Sequence, residues 1–244
     1  MQEDIAKLSP KTTFIGGLVF GFLLLCSIGF FILLFTTLHK KDTTQKPAQV
    51  VAGDQVNNEP KEINFAEITD TDHIRGKKDA TVTILTYSDI ECPYCKTFHL
   101  TMLNVMKKYG DRIRWIFRNS PLDGLHQYAR PEAEAAECVG DLGGNDIYWQ
   151  YLDKLYATTQ SNDGLDQAEL PKIAEGLKIN KDAFNKCVAD KKFAEKVQTQ
   201  ALDAQDAGME GTPYSIAISG DQKIPLSGAY SLEQVSQILD GLLK

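Results

Sequence analysis

Two cysteines separated by two residues, Cys92-Pro93-Tyr94-Cys95, directly follow a strand-like run, Ala80-Thr81-Val82-Thr83-Ile84-Leu85-Thr86-Tyr87. The spacing lets the sulfurs join as a disulfide or sit together as a dithiol, so the segment can carry two electrons. It also constrains the chain around it. Cys92 falls at a helix cap, and Pro93 at the first helical position, where its missing N–H costs nothing. The helix is expected to run to about Tyr109 and to end at Gly110. Strand, Cys-x-x-Cys, then helix is the context in which the motif reads as redox. The competing readings are an inert disulfide and half of a zinc site. Zinc requires two further ligands close by, and the sequence holds no second Cys-x-x-Cys and no His-x-x-His. Neither a metal nor a cofactor is expected.

The apolar residues are unevenly spread. Residues 1–13 form a short polar tail, and Phe14 to Leu38 is a stretch of 25 residues without a charge. As a helix it is about 37 Å long, against about 30 Å of bilayer hydrocarbon. It is longer than the core of a cleaved signal peptide, and Thr36-Thr37-Leu38-His39-Lys40 offers no small-residue cleavage site. An uncleaved membrane anchor is the favoured reading. Lys7 and Lys11 precede the span while Lys40, Lys41 and Lys46 follow it, so charge gives no clear orientation. The cysteines speak more clearly. Cys26 lies in the span, and the four outside it are an even number, which fits an oxidising compartment. The domain after the span is therefore expected outside the cytoplasm. A net charge of −7 leaves no basic surplus to neutralise phosphates, which argues against a nucleic-acid partner.

Residues 39–62 are polar, with no apolar period, and read as a tether reaching about 25–30 Å as a random coil. Residues 63–244 read as one α/β domain. Ile63 to Ile68 suggests a short edge strand, and Val82 to Tyr87 a strand buried on both faces. Arg112 to Arg118 alternates basic and apolar side chains apart from Ile116, again a strand. Residues 127–208 carry apolar residues at helical spacing, punctuated by Gly140, Gly143-Gly144, Gly164 and Asn180, and form a helical insertion. Tyr214, Ile216 and Ile218 then mark a strand, Gly220-Asp221 a turn, and Lys223 to Leu226 a hairpin partner. A last helix opens at Ser231 with Gln234 completing a capping box, and Leu232, Val235, Ile238, Leu239 and Leu242 form its stripe.

Five stretches in this order resemble the DsbA-like branch of the thioredoxin superfamily, including its membrane-anchored BdbD-type members. They are Gly76 to Ile84, Tyr87 to Cys95, Ala133 to Cys138, Ala183 to Cys187 and Gly211-Thr212-Pro213. The resemblance implies a thioredoxin fold with an inserted helical subdomain, and thiol–disulfide exchange with protein substrates. It implies that Pro213 is a cis-proline facing the dithiol, with the backbone of Thr212 turned to meet an extended substrate strand. It further implies a quinone-linked membrane reoxidase of DsbB or VKOR type as partner. Two positions depart from the pattern. Tyr94 stands where strong oxidants carry histidine, and Thr86 where many relatives place a buried acid.

The chemistry of the pair follows from position. Cys92 at a helix N-terminus meets unpaired N–H groups and the positive end of the helix dipole, which stabilise a thiolate. Cys92 is the expected exposed nucleophile, and Cys95, one turn in, the shielded resolving thiol. Pro93 and Tyr94 shape the substrate surface. Without an imidazolium between the cysteines, a potential between about −120 and −230 mV is expected. Asp89 and Glu91 read as solvated turn acids, His99 as an exposed or satisfied histidine, and Trp115 and Trp149 as core. Cys138 and Cys187 form a structural disulfide, a second redox pair or two buried thiols, with the disulfide favoured by the compartment. The expected function is a membrane-anchored, extracytoplasmic oxidase of exported protein thiols. The alternatives are a reductase or isomerase on the same fold, and a non-catalytic module that binds peptides or a metal ion.

Overall fold

A computed structural model of the chain describes residues 63–244. The expected tail, span and tether of residues 1–62 lie outside the described residues. Among the described residues, no helix is long and apolar enough to cross a membrane.

Strand β1 spans His73–Gly76, β2 Val82–Ser88, β3 Ile113–Asn119, β4 Tyr214–Ser219 and β5 Gln222–Ser227. They form one sheet in the order β1-β3-β2-β4-β5. β2 runs parallel to β3 and antiparallel to β4, while β1 and β5 close the edges in antiparallel pairs. The central place of β2 explains its composition. All seven of its residues are buried. Val82 and Ile84 face one core with Trp115 and Phe117, and Leu85 and Tyr87 face another with Ile116 and Ile216. Successive side chains of a strand point to opposite faces, so a β-branched run covered on both sides loses the polar alternation of a half-exposed strand.

Helix α1, Pro93–Tyr109, crosses from β2 to β3. Its buried residues Cys95, Phe98, His99, Met102, Val105 and Tyr109 recur every three or four positions. Gly110 ends it with φ of 55°, a conformation that glycine adopts at no steric cost. Five helices then fill the gap between β3 and β4: α2 Ala129–Gly143, α3 Asn145–Thr158, α4 Glu169–Gly176, α5 Lys181–Ala189 and α6 Ala194–Asp206. This is the expected insertion. The final helix α7, Leu232–Leu242, opens on the expected capping box, with Ser231 Oγ accepting from the Gln234 N–H and Gln234 Oε1 accepting from the Ser231 N–H. Leu232 departs from its expected stripe and lies 39% exposed. It stands at the first helical position, before the face that packs on the sheet begins.

Two readings need correction. The edge strand is His73–Gly76, and Ile63 to Ile68 forms no strand. Arg118 explains the difference. Its guanidinium donates to the carbonyls of Ala66 and Glu67, and the Ala66 N–H donates to Asp203, so these backbone groups already have partners. Ile63, Phe65 and Ile68 still pack on the sheet face. Arg118 itself is buried, contrary to the simple alternation read from β3. It forms a fork with Asp72 at 2.8 and 2.9 Å and bonds Asp203 at 2.7 Å. A guanidinium enters a core when carboxylates neutralise it and all its donors are used.

Cys138 in α2 and Cys187 in α5 are joined as a disulfide, with Cα atoms 5.9 Å apart. The bond closes a loop of 49 positions within the insertion. In the chain-entropy model such a loop stabilises the fold by about 4 kcal/mol. Urea unfolding of the Cys138→Ala/Cys187→Ala double variant is expected to show a loss of about that size. A loss below about 1 kcal/mol would show that the insertion holds itself together without the bond.

Candidate active site

The turn between β2 and α1 carries the site. Cys92 caps α1 with extended backbone, ψ 124°, and Pro93 opens the helix, as the sequence predicts. Asp89 ties this turn together. Its N–H points at Cys95 Sγ at 3.4 Å, and its carbonyl accepts from the Cys92 N–H at 3.3 Å and the Tyr156 hydroxyl at 3.2 Å. Its carboxylate accepts from the N–H groups of Glu91 at 2.8 Å and Leu122 at 2.7 Å, and pairs with His126 Nδ1 at 3.0 Å. The loop after β3 is thereby fastened beside the cysteines.

Asp89 and Glu91 are thus not solvated turn acids; both are buried. Burial is tolerated because their oxygens are satisfied. Glu91 accepts from Thr159 Oγ1 at 2.6 Å and the Gly164 N–H at 2.9 Å, and its carbonyl accepts from the Asn162 N–H at 2.7 Å. The helical insertion is therefore pinned to the active-site turn. Glu132 at the start of α2 joins this cluster and accepts from Gln167 Nε2 at 2.8 Å. Burial, then the negative charge of Glu91, pushes its carboxyl up to about 9, so Glu132 keeps its proton at neutral pH.

Both active-site cysteines are free thiols and both are buried. Here the expectation of an exposed Cys92 is corrected: it is 4% exposed, against 67% for Tyr94 beside it. Thr212 and Pro213 supply the opposing wall. Their peptide bond is cis, and Cys92 Sγ lies 3.5 Å from the Thr212 carbonyl oxygen, close enough to donate to it when protonated.

The two sulfurs titrate in opposite directions. Cys92 is lowered to about 6, chiefly by a hydrogen bond from the Cys95 thiol to its thiolate. Burial opposes this, while the backbone N–H groups of Cys95 and Tyr94 and the Thr212 side chain favour the anion. Cys95 is pushed up, first by burial and then by the bond and charge of Cys92. One proton is therefore shared by the pair, and Cys92 is the thiolate.

Thr86, the position that lacks an acid, is buried. Its hydroxyl accepts from Trp115 Nε1 at 3.0 Å and bonds Ser215 Oγ at 2.9 Å. His99 is a buried, bonded histidine, with Nε2 2.8 Å from Asp153. Burial holds it below its ordinary value despite that carboxylate. Trp115 and Trp149 are core, 4.8 Å between ring centroids. Sequence reasoning missed His126, Tyr156 and Glu132. Nothing marks His126 in a Leu-rich loop, Tyr156 reads as one more helical apolar position, and Glu132 reads as an ordinary first-turn acid. Among the described residues, no group of three or more His, Cys, Asp and Glu side chains could hold a metal ion.

A family profile described as thioredoxin matches residues 68–241. The fold matches that of Pseudomonas aeruginosa DsbA2 with a TM-score of 0.60 and 23% identity, covering 70% of this chain and 94% of that one. Wolbachia pipientis alpha-DsbA1 matches with a TM-score of 0.62 and 22% identity, covering 72% and 92%. The chain belongs to the thioredoxin family, and its fold is the DsbA-like one of the thiol-disulfide oxidoreductases. Among curated relatives, a protein of Salinispora tropica named as a Na(+)/H(+) antiporter NhaA is 34% identical over 168 residues. The match covers 68% of this chain and 24% of that relative, and one of Herminiimonas arsenicoxydans with the same name is 26% identical over 69% and 25%. This chain spans about a quarter of the length of these relatives.

The lowered Cys92 value links protonation to stability. In the reduced protein the folded-state value of about 6 lies below the ordinary thiol value, so ionisation favours the folded state above pH 6. That contribution is lost as pH falls through about 6. The oxidised protein has no such group. The melting temperature of the reduced form, taken relative to the oxidised form, is expected to rise between about pH 5 and 8. In Cys95→Ala, where Cys92 should ionise nearer the ordinary thiol value in both folded and unfolded states, the rise of the melting temperature over this range should shrink toward none. A flat difference across the range in wild type would contradict the assignment of the thiolate.

Proposed function

We propose that this chain is an extracytoplasmic, membrane-anchored thiol-disulfide oxidoreductase that passes its Cys92–Cys95 disulfide to cysteines of exported proteins. The observation that carries the reading is the pair of free cysteines at the N-terminus of α1, Cys92 capping the helix and faced by Thr212-Pro213, Cys95 buried one turn in. In the oxidised protein, a substrate thiolate attacks Cys92 Sγ. The intramolecular S–S bond breaks, and Cys95 leaves with the electron pair and takes up a proton. A second substrate thiolate then attacks the substrate sulfur of the mixed disulfide, and Cys92 leaves. The substrate gains a disulfide, and the enzyme gains two electrons. Departure of Cys92 is favoured because its thiolate is stabilised, and a stabilised reduced form makes the disulfide oxidising.

Exposed Tyr94 and the wall of Thr212 and Pro213 are where substrate docks, with an extended segment meeting the Thr212 backbone. The uncharged run of residues 14–38 supports a single membrane span, and residues 39–62 a tether. The Cys138–Cys187 disulfide supports an oxidising compartment. Turnover requires removal of two electrons, for which a DsbB- or VKOR-like membrane partner is the proposed acceptor. The antiporter name of the longer relatives is not carried to this chain.

The test is oxidation of a reduced, unfolded, thiol-containing protein in glutathione buffer. Wild type is expected to accelerate disulfide formation, and Cys92→Ser to reduce the rate to that of buffer alone. A wild type no faster than buffer would overturn the oxidase reading, and a dithiol potential well below about −250 mV would favour a reductase.

A further inference from the structure

No imidazole lies between the cysteines in the sequence, because Tyr94 stands there. The structure brings one to the site from elsewhere in the chain. We propose that His126, held on the carboxylate of Asp89, offsets that carboxylate's charge at the turn that carries both cysteines, and so favours the Cys92 thiolate and sets the oxidising strength of the dithiol. The proposal deepens the exchange reading above and rests on Cys92 being the attacking sulfur.

The geometry begins with Asp89. One residue makes backbone contact with both cysteines: its N–H reaches Cys95 Sγ, and its carbonyl accepts the Cys92 N–H. The residue is 1% exposed, and its carboxylate would, alone, place a buried negative charge at the turn that carries both cysteines. Such a charge opposes thiolate formation. His126 answers it. Its Nδ1 lies 3.0 Å from Asp89 Oδ2, and the residue is only 6% exposed. The Leu122 N–H bonds that same carboxylate oxygen, and the His126 N–H bonds the Leu122 carbonyl, so the imidazole is held by both its ring and its backbone. The loop is thus built around the pair.

The groups that act on His126 come from three elements. Asp89 meets it from the turn after β2 at 3.0 Å, while the charge of Cys92 at the start of α1 and the neutral Asn162 side chain in the segment after α3 also favour its protonated form. Asp163 in that segment is occupied by the Tyr128 N–H. Burial works against a charged imidazole, but the bond and charge of Asp89, the Cys92 thiolate and Asn162 together raise His126 above its ordinary value. Protonated, it neutralises Asp89 and removes the negative charge that would oppose the thiolate. His126 is a positioning residue here: it acts on the poise of Cys92 through Asp89 and through space.

The test compares wild type with His126→Gln and His126→Lys. Gln keeps a donor for Asp89 and loses the charge; Lys keeps the charge. The Cys92 midpoint is read from thiolate absorbance of the reduced protein, and the dithiol equilibrium from a glutathione titration. In His126→Gln the midpoint is expected to rise by about one pH unit. From a wild-type value of about 6, that makes the protein about fivefold less oxidising at pH 7. His126→Lys is expected to restore both readings toward wild type. Coupling is reciprocal, so the His126 imidazole of wild type, followed by NMR, should titrate higher in the reduced protein than in the oxidised one. That measurement needs no variant to fold. An unchanged Cys92 midpoint in His126→Gln, or equal His126 titrations in the two redox states, would overturn the proposal. If wild-type Cys92 itself titrates as an ordinary thiol, the exchange reading fails and not the role of His126 alone.

Discussion

The placement of a buried Cys95 thiol one helical turn in from Cys92 is the constraint on which the site depends. It assigns one proton to two sulfurs and so decides which of them is the nucleophile and leaving group. This requires that Cys95 be buried, which keeps the proton on its sulfur. α1 meets that requirement by placing Cys95 on the same stripe as Phe98, Met102 and Val105. The helix N-terminus supplies further donors from the backbone of Tyr94 and Cys95.

The rest of the domain holds this arrangement in place. β2 is central, buried on both faces, and ends at Ser88, so the turn that follows emerges from the most constrained part of the sheet. The Ser88 hydroxyl bonds Tyr156 in α3, and Glu91 bonds the segment after α3, so the helical insertion reaches the turn from the side. β4 begins directly after Pro213 and pairs with β2, which sets the Thr212 backbone opposite Cys92. A substrate strand docking there would meet a rigid wall and one exposed aromatic, Tyr94.

Much of this was legible in the sequence because it depends on local chemistry. Periodicity located β2, β3, β4, the insertion and α7, while Pro93, Gly110 and Ser231 marked ends that the structure keeps. The pairing of Cys138 with Cys187 was one of several open readings. What stayed hidden depends on contacts between distant segments. Burial of Asp89 and Glu91 could not be read from a run of polar turn residues, because their donors come from the loops at 122–126 and 159–164. Arg118 looked like the exposed half of an alternation until Asp72 and Asp203 met it. The absence of an acid at Thr86 suggested that the site lacks buried charge. In the fold buried acids are present, moved to Asp89, Glu91 and Glu132 around the turn.

The account turns on one quantity, the ionisation of Cys92 in the reduced protein. Thiolate absorbance near 240 nm, followed against pH and referenced to the oxidised form, measures it directly. A single thiolate appearing with a midpoint near pH 6, and Cys95 remaining protonated well past the ordinary thiol range, is the expected result. Two thiols titrating together at about pH 8.5 to 9 would contradict it, and with it the view of this site as a poised exchange centre.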